Sequence, residues 1–111
     1  MAERTYTSFE DFFPFYLREH AKPSTRALHY FGTTLVILLA LSAALTGRWL
    51  VLLALPVAGY FFAWVAHFFV EKNRPATFTY PLWSLMADFK MYGLWLTGRL
   101  KPRLRDAGVV T

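Results

Sequence analysis

Three histidines, His20, His29 and His67, are the side chains of this chain best suited to chemistry. Glu71 follows His67 by four residues, so on a continuous α-helix the two project from the same face about 6 Å apart. Imidazole nitrogens, with or without a carboxylate, suit iron, zinc, copper or nickel. Three such ligands leave coordination positions open for oxygen or a substrate. Glu71 would then serve as a further ligand or would orient an imidazole from outside the coordination sphere. Asp88 is an additional acidic candidate, provided its segment packs against the same end. The chain contains no cysteine, which rules out thiolate ligands, disulfides and a cysteine nucleophile.

Arg48 lies nineteen residues after His29 and nineteen before His67. If the chain reverses there, two helical arms of equal rise bring the two histidines back to one depth. His20 lies nine residues before His29, across a break at Pro23. A loop of that length can fold back over the hairpin end, so all three rings are able to meet. A plainer reading uses the same residues. Histidines at a membrane edge hydrogen-bond to headgroups or backbone, and Glu71, Lys72 and Arg74 form the polar flank that stops a helix. Spacing alone leaves both readings open.

The elements that must position these residues are hydrophobic. Hydrophobic residues make up 56% of the 111-residue chain, aromatics 19% and charged residues only 17%, too apolar a balance for an ordinary soluble domain of this size. Residues 28–46 form an apolar run of ~28 Å as a helix, and residues 49–70 one of ~33 Å, against a hydrocarbon core of ~30 Å. Gly47-Arg48 is the turn between them. The expected fold class is therefore all-α, an integral membrane protein built on a transmembrane hairpin. The whole of 1–111 is read as one domain.

Residues 8–20, "SFEDFFPFYLREH", place Phe9, Phe12, Phe13, Tyr16 and Leu17 largely on one face. They predict an amphipathic helix lying on the membrane surface, capped by Ser8 and either kinked by Pro14 or starting late. Ser24 is the expected cap of the first long helix. Residues 80–98 predict a third helix, but Asp88 and Lys90 at its centre are costly in mid-bilayer. A span there would also carry the basic tail, 99–111, to the side away from the other basic clusters, which the positive-inside rule disfavours. The segment is read as interfacial or partly embedded.

The net charge is +5, and the basic residues gather outside the apolar runs. They mark the cytoplasmic, anionic-lipid side of a membrane rather than a nucleic-acid surface, with Lys101, Arg103 and Arg105 as a headgroup anchor. The expected location is the cell inner membrane with both termini cytoplasmic. The first 27 residues carry acidic groups where a cleavable signal peptide would have its apolar core. No nucleophile elbow, phosphate-binding loop or dinucleotide fingerprint is present.

Two stretches carry a resemblance: "FYLREHAKPSTRALHYFG" (15–32) and "GYFFAWVAHFFVEKNRPATFTYPLWSLMADFKM" (59–91). Together they resemble the small membrane proteins related to the 2-hydroxy fatty acid dioxygenase of phytosphingosine breakdown, over about residues 9–99. The resemblance implies an Fe(II)-dependent oxygenase that shortens long-chain 2-hydroxy fatty acids by one carbon with O2. It implies that His20, His29 and His67 are the essential histidines, both catalytic and metal-ligating. A 2-hydroxy acid would present its carboxylate and hydroxyl to the metal. Its tail would lie among Trp64, Phe68 and membrane lipids, and Lys72 or Arg74 would steady its carboxylate by charge and position. The alternative is a non-enzymatic membrane scaffold or lipid-binding protein with structural histidines. A weaker one is haem held by two of them.

Overall fold

A computed structural model describes residues 5–109, and among them every regular element is helical. The elements are α1 (Phe9–Arg18), α2 (Pro23–Thr46), a 3-10 segment (Trp49–Leu53), α3 (Ala54–Val65), a π-helical turn (Ala66–Glu71), a 3-10 turn (Ala76–Phe78), α4 (Pro81–Leu96) and α5 (Leu100–Asp106).

α2 begins five residues before the apolar run. Pro23 occupies the first turn, where its fixed φ suits a helix and its missing N–H would have no partner anyway. Ser24 therefore lies inside the helix, and Lys22 takes the cap position expected for it. The helix ends at Gly47, whose φ of 72° is left-handed and whose N–H bonds to the Ala43 carbonyl at 2.9 Å. The chain then reverses and runs from Trp49 to Glu71 as one helical rod of three windings. Pro56 sits in the first turn of α3, just after the change from 3-10 to α winding.

The two arms pack antiparallel. They come close at Gly32, where a Cβ would meet Phe62 Cβ at 3.1 Å and the Ala58 carbonyl at 3.3 Å. Pro23–Thr46 and Trp49–Glu71 are the two helical stretches long and apolar enough to cross a membrane. Only 22% and 11% of their most apolar windows are buried within the protein. Leu38, Leu45, Leu50, Leu53, Val57 and Phe61 are among the large apolar residues turned outward.

The core lies at the other end, below the hairpin. Phe12, Phe13, Tyr16 and Leu17 of α1 are at most 1% exposed and pack with Tyr80, Ala87 and Met91 of the α4 region and with Leu100 and Leu104 of α5. Each fully buried ring or aliphatic side chain contributes about 1.5–3 kcal/mol. The apolar face of α1, expected against lipid, is thus covered by protein. Ser8 caps the helix by accepting from the Asp11 N–H at 3.2 Å. Pro14 is accommodated within an unbroken helix.

The basic tail carries a further short helix: residues 100–106 form α5, whose leucines enter the core while Lys101 and Arg105 stay exposed. Asp88 and Lys90, at the centre of α4, face different neighbours. Lys90 lies over the Phe9 and Phe13 rings, at 5.3 and 4.6 Å, and Asp88 turns toward α1 and α2. At sixteen residues α4 reaches about 24 Å, short of a full bilayer crossing.

Candidate metal centre

Each histidine comes from a different element, and each element delivers it for a local reason. His20 follows the C-terminus of α1, and its depth is fixed by the packing of Phe12, Phe13 and Tyr16. His29 lies in the second turn of α2. His67 lies in the π-helical turn, a winding that recurs at functional sites because its extra residue re-aims a side chain. That turn stops at Lys72, whose φ of 62° is left-handed. The reversal places Asn73 back over the helix end, where its N–H bonds to the His67 carbonyl at 2.9 Å.

The three rings converge. Nε2 of His20 lies 3.0 Å from Nε2 of His29 and 3.0 Å from Nε2 of His67, and the last two are 3.2 Å apart. The rings are 1–6% exposed. Their other nitrogens face acceptors. His20 Nδ1 lies 2.6 Å from the Tyr16 carbonyl and His67 Nδ1 lies 2.7 Å from Asn73 Oδ1. His29 Nδ1 faces the Asp88 carboxylate at 3.6 Å. Protons on the Nδ1 atoms leave three Nε2 lone pairs aimed at one another, a repulsive arrangement that a cation relieves.

The spacing fits one. Nitrogens about 2.1 Å from a common centre stand this far apart when they meet at angles roughly at or a little above 90°, a facial arrangement that leaves positions open. Burial and the neighbouring His29 and His67 also hold the His20 imidazole well below its usual pKa, in the neutral form a metal requires.

Asp88 joins the group through two contacts, accepting a short hydrogen bond from the Tyr16 hydroxyl as well as facing His29. Burial pushes its carboxyl up to about 7, with the Tyr16 hydrogen bond opposing. Burial likewise raises the Tyr16 hydroxyl, and the adjacent Asp88 reinforces it.

A small cavity of about 10 Å³ adjoins the three rings, bounded also by Tyr16, Tyr60, Ser84 and Asp88. Ser84 is 2% exposed, and its hydroxyl is one of three buried polar atoms without a partner among the described residues. An oxygen ligand at the centre would give that hydroxyl something to bond.

Glu71 is not part of the group. Its carboxylate accepts from the Lys22 backbone N–H and so ties the end of the π-helical turn to the start of α2. Lys72 and Arg74 are both exposed, and Arg74 lies over the Phe78 ring at 5.2 Å. Trp64 packs beside Tyr60, with ring centroids 5.7 Å apart.

Sequence reasoning did not single out Asn73, Ser84, Tyr60 or the Tyr16 carbonyl. Asn73 had a weak signal, a polar residue just past a helix that ends beside a histidine. The carbonyl had none, since every residue carries one.

The fold and the site define a class: a small all-helical protein whose buried histidine triad is able to hold a metal ion beside two helices apolar enough for a membrane. Residues 6–100 match the family described as 2-hydroxy-palmitic acid dioxygenase Mpo1-like, and the chain belongs to that family. No curated protein and no solved structure matches it.

Proposed function

We propose that this protein is an integral membrane dioxygenase that uses Fe(II) held by His20, His29 and His67 to shorten long-chain 2-hydroxy fatty acids by one carbon with O2. The observation that carries the reading is the set of three Nε2 atoms within 3.2 Å of one another. Family membership supports the reaction class.

Iron is favoured over zinc because the reaction consumes O2, and zinc has no redox chemistry. Bound Fe(II) would supply the electrons and open positions needed to engage O2 and the hydroxyl and carboxylate oxygens of the acid. The chain's own residues do the rest. Asn73, Asp88 and the Tyr16 carbonyl keep each Nε2 unprotonated. Asp88, with a pKa near 7, is able to hold or release a proton next to the site. Ser84 offers a hydrogen bond to a substrate oxygen. Packing of α1 over the hairpin end keeps bulk water out. Lys72 and Arg74 remain candidates for attracting the carboxylate to this face.

The outward-facing apolar residues of α2 and α3 support insertion as a transmembrane hairpin. Lys22, Arg26, Lys72 and Arg74 lie at the histidine end, and Arg48 alone marks the tip. That asymmetry favours a site at the cytoplasmic face of the inner membrane, with both termini cytoplasmic.

The test is metal analysis of anaerobically purified protein followed by O2 uptake with 2-hydroxypalmitate. About one iron per chain and substrate-dependent uptake, both lost in His67→Gln, are expected. Stoichiometric zinc with no uptake after iron loading would overturn the reading.

A further inference from the structure

Beside the small cavity lies a much larger cleft of about 310 Å³ between α2, α3 and α4. Its volume falls in the range of small-molecule sites. Its polar end consists of His29, Thr33, Tyr60 and Asp88. Three of these, His29, Tyr60 and Asp88, also bound the cavity over the three rings, so the two spaces share a wall at the centre. The rest of the cleft is apolar: Val36, Leu55, Pro56, Gly59, Leu85 and Phe89. From His29 to Val36 it follows α2 for about 10 Å toward the hairpin tip.

Gly59 is the informative residue. A glycine within a helix costs about 0.5–1 kcal/mol relative to alanine. At Gly32 that cost has a packing reason, because a Cβ there would be forced to 3.1 Å from Phe62. Gly59 has no such reason: a Cβ would meet only Val36 Cγ2, at 3.4 Å, an ordinary contact. What a larger side chain at position 59 would occupy is the cleft itself.

We infer that this cleft holds the acyl chain of the substrate, with the oxidisable head at His29 and Asp88, and that Gly59 sets how long a chain is accepted. The inference rests on the oxygenase reading for the identity of the head group. A chain with a chelating head and a saturated tail matches a cleft that is polar at one end and apolar along the rest. A palmitoyl-length tail exceeds 10 Å, so its end passes Leu55 toward the bilayer. Trp64 acts behind the cleft, bracing the Tyr60 wall.

Two readouts test this in nanodisc-reconstituted protein. The first is the ratio of O2 uptake with 2-hydroxypalmitate to that with 2-hydroxyhexanoate. Gly59→Leu should lower the ratio about tenfold or more while iron content is retained. Leu85→Trp, on the facing helix, should do the same if the first variant fails to fold. The second readout is photo-crosslinking by a 2-hydroxy fatty acid with a diazirine at mid-chain, mapped by mass spectrometry. Labelling should fall on Val36, Leu55, Leu85 or Phe89, and Gly59→Leu should abolish it. Labelling confined to outward residues such as Leu38 or Phe61, or an unchanged chain-length ratio in both folded variants, would overturn the inference while leaving the oxygenase reading intact. Cleft labelling in a protein that holds no iron and consumes no O2 would support the acyl site and overturn the oxygenase reading.

Discussion

His29 Nε2 and His67 Nε2 lie 3.2 Å apart although thirty-eight residues separate them in the chain. The hairpin makes this contact, because its two arms leave Arg48 with nineteen residues each. The pair is poised for a third nitrogen, and His20 supplies it from outside the hairpin. Two lone pairs at this distance are unfavourable without a cation between them, so metal and fold are expected to depend on each other.

Metal removal should therefore loosen the hairpin end. Stripping the protein with a chelator should lower its thermal midpoint, and adding back Fe(II) or Zn(II) should restore it. At a hundredfold excess over the dissociation constant the linkage is worth about 2.7 kcal/mol. The check is thermal unfolding in detergent at graded metal. A midpoint independent of metal would contradict the site.

Asn73 should matter to metal affinity without touching the metal. Its Oδ1 faces His67 Nδ1 at 2.7 Å, and its amide donates to the Glu19 carbonyl at 3.0 Å. Asn73→Leu should weaken metal binding by about 10–100-fold. Asn73→Asp, which keeps the acceptor, should recover most of that. Competition with a fluorescent chelator measures both.

His20 gives the metal-free protein a defined pH dependence. Its pKa is lowered in the folded state from 6.5. As pH falls below 6.5 the unfolded chain takes up a proton that the folded state refuses, so stability declines until the folded pKa is passed. The slope from this group approaches about 1.4 kcal/mol per pH unit. Asp88, raised from 3.8 to about 7, acts in the opposite direction, since its folded form gains a proton first. Comparing His20→Gln with the parent chain isolates the first effect. The variant should gain relative stability as pH is lowered from 6.5, and parallel curves would refute the assignment.

Phe12 holds the element that carries His20. It is fully buried, and its ring centroid lies 4.8 Å from that of Tyr80. Phe12→Ala should cost about 3–5 kcal/mol. It should also reduce metal content, because α1 no longer docks firmly enough to present the ligand. Metal analysis alongside unfolding distinguishes this from damage to the hairpin.

Lys72 occupies a left-handed conformation that costs a non-glycine residue about 1–2 kcal/mol. Lys72→Gly should leave the fold intact or make it about 1 kcal/mol more stable. It also separates two roles. Unchanged apparent affinity for 2-hydroxypalmitate would assign Lys72 to ending the π-helical turn alone, and a rise in KM would add the carboxylate.

The sequence by itself determined the helical hairpin and the register of two of its histidines. Apolar runs of membrane length, a Gly47-Arg48 turn and equal arms to His29 and His67 are local facts, and local facts are what a linear pattern encodes. It also narrowed the ligand type, since a chain without cysteine and with three histidines offers few other sets.

Tertiary structure alone decided the rest. The aromatic face of α1 suits lipid and protein equally by composition, so only packing shows it buried against α4 and α5. Once docked, it fixes His20 over the hairpin and brings Tyr16 to Asp88. The turn from Ala66 to Glu71 reads as ordinary helix in sequence, yet its π winding and the reversal at Lys72 give His67 to Asn73 and leave Glu71 to tie down Lys22. These partners are set by contacts up to 72 residues apart. No spacing rule reaches that far, because a contact between distant segments depends on how every intervening element packs.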